Sequence, residues 1–143
     1  MTSLAVDANV VLRLLTDEPR HLADRAVEIL AISEERQIAL VLAPMIVAEV
    51  VYVLERVYGW TRRALADSLL DLIHADTLFV IDREALVRAL VWYGGPTKID
   101  FADAYLAGLV AEGAHDAVAT FDEDLGRVTK VPVIRSVAEL SLL

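Results

Sequence analysis

Short apolar runs of strand length alternate along this chain with stretches whose apolar residues recur at helical spacing. Leu4-Ala5-Val6 is the first run and reads as a buried strand, with Val10 to Thr16 continuing from it as a short helix. Asp17-Glu18-Pro19-Arg20 is a break, because proline ends helices and restricts the residue before it. His21 to Arg36 is a second helix, with Leu22, Ala26, Ile29 and Leu30 on one face. Ile38 to Leu42 is continuously apolar, the pattern of a strand buried on both faces of a parallel sheet. Pro44 suits the first turn of the next helix, and Gly59 ends that helix after about Tyr58. Its residues Ile46, Val47, Val50, Val51, Val53, Leu54 and Val57 make an apolar surface wider than one core-facing stripe, which predicts packing on both the sheet and a partner.

Thr61 is placed to cap a further helix running to about Ile73. Leu78 to Ile81 is a third strand, Asp82 to Trp92 a helix, and Gly94-Gly95-Pro96-Thr97 a loop. Asp100 to Glu112 is a helix of small residues, Ala102, Ala104, Ala107, Gly108 and Ala111, which predicts close approach to a sheet. Ala117 to Thr120 and Val131 to Ile134 are the fourth and fifth strands. Strands alternating with helices predict an α/β fold, a parallel sheet of about five strands with helices on both faces. Right-handed crossovers align the strand C-termini along one edge, where ligands of open α/β folds collect. With no repeat or linker in 143 residues, a single domain spanning 1–143 is expected.

Composition narrows the picture. A 57% hydrophobic content excludes disorder and exceeds what a small monomer readily hides, so an interface is expected. The longest apolar run, Ile38 to Ala48, is broken by Pro44 and falls short of a membrane span. No basic segment precedes a hydrophobic one at the start, so no signal peptide is expected. The absence of cysteine excludes disulfides and thiolate metal sites and suits a reducing cytoplasm. A net charge of −9 argues against backbone-led nucleic-acid binding, but not against a nuclease whose acids are gathered at a metal site. Two divalent cations, four positive charges, would take −9 to −5.

Acids recur where strands end. Asp7 follows the first strand, either as the cap of the next helix or as part of a site. Glu49 is the only charged residue between Ile38 and Leu54, either a solvated position or a buried functional acid; the all-round apolar helix favours the second. Asp100 and Asp103 share one helical face, with Asp100 the natural cap and Asp103 the better chemical candidate, although the helix dipole also favours an acid there. Asp122 lies just past the fourth strand, and it or Asp124 can equally cap the turn at Leu125-Gly126. Two such charges about 5 Å apart repel by roughly 3 kcal/mol at an effective dielectric near 20. A hard divalent cation removes that repulsion, and oxygen-only ligands suit Mg²⁺ or Mn²⁺, which pair with phosphate oxygens. His21, His74 and His115 have no metal-site spacing.

Four stretches, Val6-Asp7-Ala8-Asn9-Val10, Pro44 to Glu49, Asp100-Phe101-Ala102-Asp103-Ala104 and Ala119-Thr120-Phe121-Asp122, together resemble PIN-domain proteins of the VapC toxin type. The resemblance implies a three-layer α/β/α PIN-like fold and a metal-dependent endoribonuclease, with Asp7, Glu49, Asp103 and Asp122 holding Mg²⁺ or Mn²⁺ and Asp100 as an extra ligand. It implies that Asn9 and Thr120 orient a ligand or water. It also implies a homodimer and a cognate antitoxin that blocks the site and supplies any contact with DNA. Lys98, just before the acidic helix, is a candidate for the scissile phosphate. Arg13, Arg62, Arg63, Arg83, Arg88, Arg127 and Lys130 are weaker candidates for RNA backbone, and Trp60, Trp92 and Tyr93 for bases or, more simply, core packing.

Rival readings remain at this point. A receiver-like phosphoacceptor module would use Asp82, Thr120 and Lys130. A haloacid-dehalogenase-like phosphatase would build on Asp7, but Asn9 stands where its general acid belongs. A catalytically silent partner-binding PIN domain is the third.

Overall fold

A computed structural model describes residues 2–143. The chain divides into two compact units, the first running to Ile81 and the second from Asp82 to Leu143. The first holds β1 (Ser3–Ala5), α1 (Ala8–Thr16), α2 (Arg20–Glu35), β2 (Ala39–Leu42), α3 (Pro44–Arg56), α4 (Arg62–His74) and β3 (Phe79–Val80). The second holds α5 (Arg83–Tyr93), α6 (Phe101–Ala111), β4 (Val118–Ala119), α7 (Leu125–Thr129), β5 (Val133–Ile134) and a terminal 3₁₀ segment, Val137–Leu142.

The α/β class expected from the alternation is what the chain forms, and every strand pairing among the described residues is parallel. In the first unit the strand order is β1-β2-β3, with Leu4 opposite Leu40 and Val41 opposite Phe79. In the second unit β4 and β5 form a separate two-stranded sheet, Val118 opposite Val133. The apolar run at β2 does what its composition implies, burying Leu40 and Leu42. The first strand does not: Ser3, Leu4 and Ala5 are all exposed, and burial begins only at Val6. β1 is an edge strand of its sheet, which relieves it of the two-sided burial that a central strand meets.

Helix ends follow local chemistry. Asp17 closes α1 in the left-handed region, its amide donating to the Arg13 carbonyl, and Pro19 precedes α2. Pro44 opens α3, and the Thr61 hydroxyl accepts the Ala64 amide at 3.1 Å to cap α4. α3 stops at Arg56, short of the expected Tyr58; Gly59 still takes the positive φ of +70°, within the turn that follows. α3 buries Val47, Val50, Val51 and Leu54 and leaves Met45, Tyr52 and Val57 exposed, so its apolar surface is indeed wider than its core stripe.

In the second unit Leu86, Ala89 and Leu90 of α5 and Ala104, Ala107 and Gly108 of α6 are buried. The small-residue helix makes its closest approach to α5, not to a strand: a Cβ on Gly108 would stand 2.4 Å from the Ala85 carbonyl oxygen. Tyr93 and Phe101 close one end of this pair edge to face, ring centres 5.8 Å apart. α7 and the 3₁₀ segment have no counterpart in the sequence pattern, which offers only a turn at Leu125-Gly126.

Candidate metal centre

Three of the five acids belong to the second unit. Asp100 stands at the N-cap position of α6 with extended backbone, yet its side chain makes no capping hydrogen bond. The expectation that Asp100 is consumed as a cap is therefore corrected, and its carboxylate is exposed and available. Asp103 sits one turn on, half-buried in the first turn of the same helix. Burial, then the charge of Asp100, then that of Asp122 push the Asp103 carboxyl above its ordinary range. Asp122 thus lies near enough to repel Asp103 across the loop that follows β4.

That loop is held by its own side chains. The Thr120 amide donates to the Ile134 carbonyl of β5, and the Asp122 amide donates to Thr120 Oγ1 at 3.0 Å. Asp122 Oδ1 in turn accepts the Asp124 amide at 2.7 Å and the Leu125 amide at 3.2 Å. Asp122, rather than Asp124, makes the turn that opens α7; Asp124 pairs with Arg127 instead. Capping and site are not exclusive here, because Asp122 Oδ2 is uninvolved in these bonds. Thr120 acts on the backbone of this loop, a role distinct from the orienting of a ligand or water that the resemblance implies for it.

In the first unit Asp7 follows β1 at the N-cap of α1, its Oδ1 accepting the Ala8 amide at 2.8 Å. Glu49 lies in the second turn of α3, after β2, so both acids succeed the C-terminal ends of parallel neighbours. The expectation of a buried Glu49 is not met: the side chain is exposed, on the face of α3 away from Val47, Val50 and Val51. An apolar count along the helix misled, because the buried residues lie on one face and Glu49 lies on the other, beside the exposed Met45 and Tyr52. Asn9 is exposed and lines, with Val10, Arg13, Leu22, Arg25, Ala26 and Ile29, a cavity of about 260 Å³ between α1 and α2.

Lys98 is exposed in the loop before α6. Most of the arginines suggested for RNA contact are taken up by the chain's own acids: Arg62 by Glu55, Arg63 by Asp67, Arg88 by Glu112 and Arg127 by Asp124. Arg13 donates to the Glu18 carbonyl and to Tyr58 Oη, which makes it a tie within the first unit. His21, His74 and His115 are exposed, and Tyr93 is core.

One interaction escaped the sequence. Tyr105 donates its phenol to Asp82 Oδ2 at 2.6 Å, and burial together with that bond pushes its pKa up to about 12. Asp82 itself has a left-handed backbone, φ 55°, at the start of α5. Nothing in the sequence spacing joins positions on different helices in this way. The pairing ties the residue that a receiver would phosphorylate to a neighbouring helix. The strand order weighs against a receiver as well, since β2 rather than β1 lies between its neighbours.

Among the described residues no three acidic or histidine side chains are arranged to hold a metal ion together. The donor chemistry of the second unit nonetheless fits a hard divalent cation: oxygen donors only, and one of them crowded by two like charges. No curated protein and no solved structure matches the chain. The PIN domain family matches residues 4–131, a span that runs through both units and includes all five acids. The chain belongs to the PIN domain family, whose members are in general metal-dependent nucleases.

Proposed function

We propose that the protein is a Mg²⁺- or Mn²⁺-dependent endoribonuclease and the toxin half of a toxin–antitoxin pair. The observation that carries the reading is the PIN family's match over both units, alongside an Asp103 carboxyl raised by burial and by the charges of Asp100 and Asp122. Asp103, Asp122 and Asp100 would hold the ion in the second unit, while Asp7 and Glu49 come in as further ligands on the resemblance alone. When bound, the ion neutralises phosphodiester charge and assists attack by water. Around it, Thr120 fixes the loop that carries Asp122, and Lys98 is available to a phosphate oxygen. Asn9 is assigned a water-orienting part by resemblance.

A homodimer and a cognate antitoxin belong to the same proposal. The support is the exposure of Met45 and Tyr52 on α3 and of Val57 just past its end, on a chain of 57% hydrophobic residues. Cytoplasmic location is proposed with them; no helix among the described residues is long and apolar enough to cross a membrane. The deciding experiment is Asp103→Asn, nearly isosteric and uncharged, assayed on single-stranded RNA in Mg²⁺. Cleavage should fall at least about a hundredfold, the upper range for disturbing a metal shell. A variant as fast as the unaltered chain refutes the assignment. An inactive unaltered chain that still binds a protein partner would favour the silent, partner-binding reading.

A further inference from the structure

Phe121 is 92% exposed, more than any other large apolar residue of the described chain. It lies between Thr120 and Asp122, in the loop whose backbone is held by the Thr120 hydroxyl, the Asp122 carboxylate and the Ile134 carbonyl. The turn on either side of it is braced, and the ring itself stands in water. The residues beside it in sequence, Thr120, Asp122, Glu123 and Asp124, are polar or acidic. A protein pocket has to enclose an aromatic anchor and exclude water around it. A nucleobase needs only the flat face.

We propose that Phe121 is a stacking platform for one unpaired base of the RNA, adjacent to the phosphodiester drawn to Asp103 and Asp122. The inference rests on the ribonuclease reading. Phe121 directly precedes Asp122, their Cα atoms about 3.8 Å apart, so the ring and the carboxylate leave adjacent points of one loop. Phenylalanine has no polar handle, so the platform selects an unstacked base over a paired one without reading which base it is. The substrate class is therefore single-stranded RNA with weak base identity at that position.

The test compares the unaltered chain with Phe121→Ala and Phe121→Trp on a single-stranded oligoribonucleotide and on versions carrying one abasic site at successive positions. Losing one base stack should raise KM, and Kd measured in the Asp103→Asn background, about 5- to 140-fold in Phe121→Ala. Tryptophan should restore both, and its fluorescence should be quenched by the intact oligonucleotide above the Trp60 and Trp92 background. At one abasic position, Phe121→Ala and the unaltered chain should become equal. An unchanged KM in Phe121→Ala overturns the proposal, as does an equal loss at every abasic position. So does a Phe121→Ala chain that handles RNA normally but loses a protein partner. Cleavage that needs Asp103 but ignores Phe121 sinks the platform alone; an unaltered chain that neither binds nor cleaves RNA sinks the platform and the ribonuclease together.

Discussion

Replacing Gly108 by alanine puts a methyl group where α5 already stands. The added Cβ would meet the Ala85 carbonyl oxygen at 2.4 Å and the Ala85 Cα at 3.1 Å. Non-bonded carbon atoms settle near 3.5–4.0 Å, so the helices must part by roughly 1 Å, and the obstacle is backbone that cannot rotate aside. Alanine returns about 1 kcal/mol in helix propensity. Against this, overpacking a close-packed site costs about 1–3 kcal/mol, and a clash with main chain belongs at the upper end. The buried neighbours Leu86, Ala89, Ala104 and Ala107 lose contact as the helices separate. The net expectation is a loss of about 1–2 kcal/mol, a sizeable part of the ~5–15 kcal/mol that holds a typical domain folded. Urea denaturation followed by far-ultraviolet circular dichroism reads it directly. With a slope of about 2 kcal/mol/M, the midpoint should fall by about 0.5–1 M at unchanged slope. A Gly108→Ala midpoint at or above that of the unaltered chain would show that α5 and α6 do not approach this closely.

Two further outcomes are expected from the helix termini. Thr61→Ala removes the hydroxyl that accepts the Ala64 amide, and should lower the stability read by the same denaturation by about 1 kcal/mol; Thr61→Ser should restore most of it. The Asp103 carboxyl is held above its usual range, so the folded chain binds that proton more tightly than the unfolded chain. The stability this confers is complete below the unfolded-state value near 4 and is lost as pH rises through the higher folded one. At neutral pH and without metal, Asp103→Asn should therefore melt higher than the unaltered chain, with the difference vanishing in acid. Mg²⁺ should raise the melting temperature of the unaltered chain and leave the variant's nearly unmoved. An Asp103→Asn chain that melts lower at neutral pH without metal contradicts the electrostatics on which the site is built.

The parts of this fold that could be read from the sequence are those decided locally. Pro44 and Thr61 start their helices because a fixed φ and a hydroxyl acceptor act within one turn. The parallel class follows from apolar runs separated by helical periods, and β2 buries its leucines accordingly. Where the outcome depended on distant neighbours, the pattern was silent or misleading. Glu49 looked enclosed because its helix is rich in valine, but Val47, Val50 and Val51 all turn to the core, and Glu49 shares the other side with the exposed Met45 and Tyr52. The small-residue face of α6 was legible as a close-approach surface, whereas its partner, α5, was not. Of the acids, Asp103 is the one whose carboxyl is pushed above its ordinary range, by burial first and then by Asp100 and Asp122. Asp100 turned out to be unengaged as a cap, and Asp122 was found capping as well as lying near Asp103. Tyr105 and Asp82 meet only through the packing of α5 and α6.

The braced turn after β4 also bears on the choice of ion. With Oδ1 already receiving two backbone amides, Asp122 has one oxygen left and can offer a cation a single point of attachment. Asp7 is less committed, its Oδ1 accepting a single amide, that of Ala8. Carboxylates that bind through one oxygen suit a small ion that keeps much of its water, as Mg²⁺ does. They deny a larger ion such as Ca²⁺ the two-oxygen grip it commonly takes from an acidic side chain.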